Sequence, residues 1–197
     1  ARVGGYYHDI GKLENPEYFI ENQIGEESKH TLLKPNISCS IIKSHIKYGI
    51  DVGLKLKLPE EIIHIMREHH GTTMIHYFYK KSLMDKETEK MSKEDLIAIY
   101  RHDGPLPSSK ESAIIMLADA VEAATRSIKK PSFSRIETII REIMNARFLD
   151  GQLNDCPLTL KDLERITDSF IQFLSAMYHT RIEYPDKDEI KKLENEY

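Results

Sequence analysis

The sequence predicts an all-α fold on three observations. Apolar residues recur at intervals of three and four along most of the chain, the spacing that lines one face of a helix. Capping signals such as Ser92-x-x-Asp95 and Thr159-x-x-Asp162 precede several of these stretches. The sequence contains neither an internal repeat nor the short glycine turn that indicates a β-hairpin. We therefore expect a single domain, residues 1–197, built as a helical bundle.

The first predicted helix ends within residues 6–12, Tyr-Tyr-His-Asp-Ile-Gly-Lys. We expect Gly11 to end it in the left-handed conformation that closes many helices. Neighbouring residues on a helix point about 100° apart. His8 and Asp9 therefore cannot both coordinate one point from the same face in the middle of a helix. They can supply two neighbouring ligands to a metal centre beyond the helix end. Lys12 would then lie near whatever the metal binds.

Residues 13–35 contain several helix breakers and predict a long loop with a short helical turn near residues 17–21. This loop is either a simple connection or a flap over a site, since long loops in compact domains are often functional. A helix follows, with Asn36 or Ser38 as its expected cap. His45 is the one strongly polar residue on the apolar stripe of that helix.

The next predicted helix begins at Pro59 and ends in His69-His70-Gly71. Two adjacent histidines at a helix end can point toward one centre, as His8 and Asp9 can. The aromatic stretch that follows, residues 74–84, is predicted to be helical. It serves either core packing or stacking against a nucleotide base.

A predicted helix over residues 93–100 is followed by a longer one, for which Ser108-x-x-Glu111 supplies the capping signal. Asp119 lies on this longer helix among apolar neighbours. An uncompensated carboxylate is costly in such surroundings, so it needs a cation or several hydrogen-bond donors. The partner is either a basic residue in the core or a metal ion.

Residues 131–149 and 160–178 predict two amphipathic helices without reactive groups, which we interpret as scaffold. Residues 186–197 form a charged tail. The chain opens on residues typical of a helix interior, so we expect a longer protein whose N-terminal helix is cut here.

The amino-acid composition restricts the range of possible functions. The formal net charge of -4 argues against a generally basic surface for duplex nucleic acid. The two cysteines, Cys39 and Cys156, suit a reducing compartment and form neither a disulfide framework nor a zinc ribbon. No apolar run approaches the ~20 residues that span a bilayer, so any membrane contact would come through upstream segments.

The metal-ligand candidates occupy four predicted helices or helix ends; they are His8, Asp9, His45, His69, His70 and Asp119. Imidazole and carboxylate ligands suit first-row metals such as iron, manganese, zinc and cobalt. This set is larger than one closed structural zinc site needs. It suits two metals that share a bridging carboxylate, an arrangement that binds phosphoryl groups and activates water.

Several segments resemble the HD phosphohydrolase superfamily, and more closely the cytoplasmic HD domain of the seven-transmembrane HD proteins, the PgpH type. The segments are His8-Asp9-Ile10-Gly11-Lys12, His45, His69-His70-Gly71-Thr72-Thr73 and Leu117-Ala118-Asp119-Ala120. The resemblance implies an HD-domain helical bundle that hydrolyses cyclic di-AMP to linear pApA. It also implies a cytoplasmic domain of a bacterial cell-membrane protein.

The same resemblance implies roles for single residues. Asp9 would bridge two divalent transition metals, manganese or iron, with cobalt as an alternative. His8 and Asp119 would hold the first metal. The second metal would be held by three histidines, His45, His69 and His70. Lys12 would steady the scissile phosphate beside Asp9, so these two are the expected catalytic residues.

Substrate contacts are expected from Arg126, Thr72 and Thr73. Arg126 either contacts the second phosphate or forms a plain surface salt bridge, and the threonines either orient the histidines or bind substrate. A further histidine, which the family carries on an upstream helix, would precede residue 1. Two other functions stay open. One is an HD hydrolase of another nucleotide or alarmone, and the other is a non-catalytic nucleotide-sensing module.

Overall fold

A computed structural model of the chain describes residues 1–23, 28–85, 88–126, 128 and 132–179. Regular structure in these residues is helical, apart from one isolated β-bridge between Met74 and Arg101. The α-helices are α1 (Arg2–Tyr7), α2 (Pro35–Lys55), α3 (Glu60–Glu68), α4 (His76–Ser82), α5 (Lys93–Tyr100), α6 (Lys110–Arg126), α7 (Phe133–Leu149) and α8 (Leu160–His179). The predicted all-α class is confirmed.

Helix α6 lies between two hydrophobic clusters. The buried members of the first cluster come from α6, α7 and α8: Leu117, Val121, Ile136, Ile140, Met144, Ile171 and Leu174. The buried members of the second come from α3 and α6: Ile62, Ile63, Ile65, Met66 and Ile115. Because burying each large aliphatic side chain contributes roughly 1.5–3 kcal/mol, these clusters hold α6 firmly between the two halves of the bundle. The scaffold interpretation of α7 and α8 agrees with this packing.

A third cluster supports the aromatic stretch. Phe78 in α4 is buried against Cys39 from α2 and Tyr100 from α5. Its neighbour Tyr77 is 68% exposed. Helix formation at residues 74–84 is thus confirmed over His76–Ser82, with the phenylalanine used for packing.

Two of the predicted caps form as expected. The Ser92 hydroxyl accepts a hydrogen bond from the Asp95 N–H at 3.0 Å. At α8, the Thr159 hydroxyl accepts from the Asp162 N–H at 3.1 Å, and the Asp162 carboxylate accepts from the Thr159 N–H at 3.1 Å. Local capping chemistry therefore decides where these two helices begin.

Two other predicted caps are wrong. At α2, Pro35 occupies the first helical position after Lys34, where the fixed φ of proline suits a helix start, so neither Asn36 nor Ser38 is the cap. At α6, Ser109 rather than Ser108 accepts from the Ser112 N–H, at 3.1 Å. Ser108 is engaged elsewhere.

The predicted role of Gly11 is also wrong. Helix α1 ends at Tyr7, and the chain continues into a 3-10 turn, Ile10–Glu14, that contains Gly11 without a positive φ. A Cβ at Gly11 would lie 1.8 Å from the His45 carbonyl oxygen and 2.4 Å from the Gly49 nitrogen. Glycine is required here because the turn packs directly on the backbone of α2.

Glycines do end two other helices in the left-handed region. Gly71 follows α3 with φ +52°, as the sequence predicts, and Gly151 follows α7 with φ +71°. Residues 13–23 and 28–34, the described part of the predicted loop, form no α-helix and contain short 3-10 turns at Pro16–Tyr18, Ile20–Asn22 and Lys29–Leu32.

The predictions for Pro131 and for the charged tail at residues 186–197 lie outside the described residues. No helix in the described part of the chain is long and apolar enough to cross a membrane.

We expect Gly11→Ala to lower the free energy of unfolding by about 3 kcal/mol, because the added methyl must push the turn away from the backbone of α2. Denaturant unfolding measures the change. Gly5→Ala is the control, since its Cβ would sit in ordinary contact, 3.5 Å from Ile115 Cδ1. That variant should stay within about 1 kcal/mol of the unmodified chain. Equal stability of the two variants would contradict the close approach.

Candidate metal centre

The six predicted ligands meet at one place in the bundle. His8 and Asp9 directly follow α1, and His69 and His70 directly follow α3. His45 lies in the middle of α2, and Asp119 lies in the middle of α6. Four separate parts of the chain, each held by the hydrophobic clusters, therefore deliver the ligand atoms to a common centre.

Asp9 stands between two groups of ligand atoms. Its Oδ2 lies 3.3 Å from His8 Nε2, and its Oδ1 lies 3.4 Å from His45 Nε2 and 3.7 Å from His69 Nε2. Within each group, the ligand atoms lie within 4.8 Å of one another. The first group contains His8, Asp9 and Asp119, and the second contains Asp9, His45, His69 and His70.

Asp119 approaches both groups. Its Oδ1 lies 3.8 Å from His8 Nε2, and its Oδ2 lies 3.8 Å from His70 Nδ1. The partner of this carboxylate in the interior is thus a set of histidines, in place of the lysine or arginine that an ordinary core salt bridge would supply.

Three of the histidines are oriented in the same way. His8 Nδ1 lies 2.9 Å from the Gly5 carbonyl oxygen, and His69 Nδ1 lies 2.9 Å from the Met66 carbonyl oxygen. His45 Nδ1 bonds the carbonyl oxygen three residues earlier in the same manner. A carbonyl oxygen only accepts, so Nδ1 carries a proton in each ring, and Nε2 presents a lone pair to the centre when the ring is neutral.

These lone pairs fit a cation. The Nε2 atoms of His45 and His69 lie 3.2 Å apart, although neither has a proton to share when both rings are neutral. Within the described part of the chain, His8 Nε2 and Asp9 Oδ1 are buried without a hydrogen-bond partner. Buried polar atoms are costly when unsatisfied, and a metal ion satisfies nitrogen and carboxylate donors together. The residues present therefore suit one or two divalent metals.

The electrostatics at His45 and His70 favour neutral rings. Burial lowers the pKa of His45 to about 4, and the neighbouring His69 acts in the same direction. Burial likewise places the pKa of His70 well below its ordinary value. Neutral imidazole is the form that binds metal.

The carboxylate side behaves differently. Burial opposes ionisation of Asp9, but the side chains of His69 and His8 outweigh it and hold its pKa below the ordinary range. For His8, burial favours the neutral ring, yet Asp119 and Asp9 outweigh burial and raise its pKa to about 10. Metal uptake at this side would therefore release a proton from His8.

Lys12 lies at the edge of the centre. Its Nζ is 2.7 Å from Asp9 Oδ2, and it also pairs with the carboxylate of Glu21 from the 3-10 turn Ile20–Asn22. The ammonium lies 5.4 Å from the centroid of the Phe19 ring. Burial acts to lower the pKa of Lys12, but Asp9 and Glu21 together raise it, so the side chain remains a cation.

Sequence reasoning missed His102. Its ring stacks on that of His70, with centroids 4.3 Å apart and an angle of 18° between the planes. The side chain is 6% exposed, and no described residue supplies a hydrogen-bond partner for its Nδ1. Its backbone N–H donates to the Thr73 carbonyl at 2.9 Å. No periodicity connects residues 70 and 102, so only the folded chain brings them together.

The predicted substrate contacts have partners within the protein. Thr73 donates its hydroxyl hydrogen to the His70 carbonyl at 2.7 Å, and the Thr72 hydroxyl accepts from Gln152 at 2.9 Å. This arrangement favours the interpretation that both threonines orient the histidine turn. Arg126 donates to both carboxylate oxygens of Glu122, each at 2.7 Å, which is the plain salt bridge weighed above.

A cavity of about 1000 Å³ opens beside the centre. This volume is at the upper end of the range of about 300–1,000 Å³ typical of small-molecule sites. Its wall includes Lys12, Arg126 and His102, together with Phe19 and Glu21 from the loop at residues 13–35. The loop therefore borders the site, as the flap interpretation expects.

Comparison with known proteins gives a consistent result. The HD domain family matches residues 1–124, a span that holds all six ligand candidates. The chain is 42% identical over 186 residues to "Cyclic-di-AMP phosphodiesterase PgpH" of Bacillus subtilis, covering 94% of this chain and 25% of that protein. It is 46% identical over 186 residues to the protein of the same name from Listeria monocytogenes, with the same two coverages. The chain thus spans about a quarter of the length of these curated relatives.

Solved structures agree. The crystal structure of the L. monocytogenes PgpH HD domain superposes with a TM-score of 0.82 at 43% identity, covering 90% of this chain and 81% of that one. A second structure of that domain, in complex with cyclic di-AMP, gives a TM-score of 0.83 at 44% identity, covering 90% and 80%. The predicted resemblance to PgpH-type HD domains is confirmed.

We expect Asp9→Ala to lower the amount of divalent metal bound per chain by more than about half, because this carboxylate is shared by both ligand groups. Elemental analysis of the purified, metal-loaded chain measures the content. Asp51→Ala, at an exposed position of α2, is the control and should bind as the unmodified chain does. Full metal content in Asp9→Ala would contradict a shared ligand.

Proposed function

Because the chain belongs to the HD-domain family, a family of metal-dependent hydrolases, we propose that it hydrolyses cyclic di-AMP to linear pApA. The observation that carries this proposal is the shared position of Asp9 between two groups of ligand atoms at the edge of a large cavity. A phosphodiester enzyme needs such a cluster beside room for its substrate.

The proposed centre holds two divalent metals, for which manganese and iron are the first choices and cobalt the alternative. His8, Asp9 and Asp119 would hold one metal. The other would be held by Asp9 and three histidines, His45, His69 and His70. Metals bound there would supply positive charge at the phosphoryl group and activate water for attack. The nitrogen and oxygen donors described above support this choice.

In this proposal Lys12 works beside Asp9 as a catalytic residue. The ammonium lies within ion-pair distance of Asp9 Oδ2 and on the cavity wall, where it can neutralise charge that develops on the phosphate oxygens. Phe19 beneath it and Asp9 beside it hold it in place. Arg126, further along the wall, would receive the second phosphate in exchange for Glu122, and Thr72 and Thr73 remain weaker candidates for substrate contact.

The choice of cyclic di-AMP rests on the relatives. The two curated PgpH proteins are named cyclic-di-AMP phosphodiesterases, and the similar L. monocytogenes HD domain has been solved with cyclic di-AMP. Tyr77, an aromatic side chain on the cavity wall that is 68% exposed, offers a face on which adenine can stack.

Placement of the chain as the cytoplasmic domain of a bacterial cell-membrane protein is likewise proposed. Its support is the resemblance to the seven-transmembrane HD proteins, together with the quarter-length match to the curated relatives.

We expect the manganese-loaded chain to convert cyclic di-AMP to linear pApA, and a chain with both His8→Ala and Asp9→Ala to form no product. Chromatography of the nucleotides over time measures both. A panel of other cyclic dinucleotides, nucleoside triphosphates and alarmones is run beside it. Turnover confined to a different nucleotide would favour the other-hydrolase function, and tight binding without product would favour the sensing module. Turnover that survives the double substitution would refute the proposed site.

We expect Glu21→Gln to lower the KM for the cyclic dinucleotide by about 1.5- to 5-fold, the worth of an exposed ion pair. The variant removes a carboxylate that competes with phosphate for Lys12. Steady-state kinetics measure the change. Glu17→Gln is the matched control, because Glu17 lies in the same loop and pairs instead with Lys29, at 3.7 Å. A KM for Glu21→Gln that equals or exceeds that of the control would contradict the competition.

A further inference from the structure

The turn that carries His69 and His70 is held from outside by a residue of the C-terminal part of the chain. Gln152, just after α7, is 1% exposed. Its Oε1 accepts a hydrogen bond from the Thr72 N–H at 2.9 Å. Its Nε2 donates to the Thr72 hydroxyl at 2.9 Å and to Asp150 Oδ2 at 2.9 Å. One buried amide thus satisfies two polar groups of a single turn residue.

Arg101 completes the hold on Thr72. Its Nη1 donates to the Thr72 carbonyl at 2.8 Å and to Asp150 Oδ2 at 3.0 Å. Its Nη2 donates to Asp150 Oδ1 at 2.6 Å. The N–H, carbonyl and hydroxyl of Thr72 are therefore all bonded, and Asp150 links the two residues that bond them. Only Gln152 is buried in this network, whereas the side chains of Arg101 and Asp150 are 32% and 30% exposed. Because every hydrogen-bonding group of Thr72 has a partner, the network favours one geometry of the turn.

The turn also packs closely against the Gln152 side chain at Gly71. Gly71 has a φ of +52°, and a Cβ there would lie 2.5 Å from Gln152 Oε1 and 2.7 Å from Met116 Cε. In the sequence, Gly71 is the one residue between Thr72, which the network holds, and His70. The Thr73 hydroxyl adds a bond to the His70 carbonyl. A displacement of Gln152 would therefore pass directly to the His70 backbone.

His70 needs this support more than the other histidines do. His8, His45 and His69 each bond a backbone carbonyl through Nδ1. Among the described hydrogen bonds, the His70 ring has no bond of that kind, and its Nδ1 instead faces Asp119 at 3.8 Å. Its position depends on the turn and on the stacked ring of His102.

We propose that Gln152, acting with Arg101 and Asp150, is a positioning residue that sets His70 for the metal bound by the three histidines. This inference rests on the proposed metal centre. It extends the site beyond residues 1–124, the span that matches the HD domain family, to the connection between α7 and α8.

The test is Gln152→Met, which keeps the side-chain length and removes all three hydrogen bonds. We expect manganese affinity at one of the two sites to fall by about 10- to 100-fold, the usual effect of losing a partner behind a metal ligand, while the other site is unchanged. Isothermal titration calorimetry with manganese measures both affinities without reference to activity. At limiting manganese the kcat should fall, and excess manganese should restore it, which a folding defect would not allow.

Tyr178→Phe is the matched control. It removes the hydrogen bond from the Tyr178 hydroxyl to the Thr125 carbonyl, 3.1 Å long, which joins α8 to α6 away from the turn. It should lower the melting temperature and leave both manganese affinities unchanged. If Gln152→Met does not fold, Arg101→Lys serves instead, because lysine cannot reproduce the forked contact to Asp150 and Thr72. That variant should weaken the same site several-fold.

The outcomes separate the inference from the function beneath it. Unchanged affinities in the variant tested overturn the positioning role, and so does an equal loss in that variant and in Tyr178→Phe. If the unmodified chain itself binds no manganese, the metal centre is refuted, and the inference is refuted with it.

Discussion

Two buried imidazole nitrogens, Nε2 of His45 and Nε2 of His69, face each other 3.2 Å apart with the carboxylate of Asp9 beside both. The proton of each ring is on its other nitrogen, against a backbone carbonyl. Lone pairs and negative charge thus converge in a place from which water is largely removed, and only a cation relieves that repulsion well. An ion bound there would both relieve this repulsion and supply the chemistry of the proposed function, so metal binding would also stabilise the fold.

The bundle directs these lone pairs mostly through its main chain. A histidine that bonds a carbonyl three residues earlier has its ring direction set by the helical turn on which it stands. His8, His45 and His69 follow this rule. His70 does not, and its direction comes from a turn held by Gln152 and by the stacked His102. The centre is therefore assembled from both the N-terminal and the C-terminal halves of the chain.

The six ligand candidates could be predicted because they lie in adjacent pairs at helix ends or as single polar residues on apolar stripes. Helix positions followed from periodicity. The predicted cap of α2 failed because Pro35 begins that helix, and the predicted cap of α6 failed because the tertiary structure had a competing use for the side chain. Ser108 is the clearest case, since its N–H and hydroxyl bond the buried carboxylate of Glu68. The roles of His102 and Gln152 depend on contacts across 32 and 80 residues of sequence, which leave no periodic signal.

Because Gly11 has no side chain, the 3-10 turn that follows Asp9 packs against the backbone of α2 at His45. The spacing between these two ligands is consequently a main-chain dimension, independent of how large the surrounding side chains are. Relatives that diverge through exchange of core residues can keep the same spacing between these two ligands, provided that position 11 stays without a side chain. Substitutions in the hydrophobic core should therefore leave the spacing between Asp9 and His45 largely unchanged.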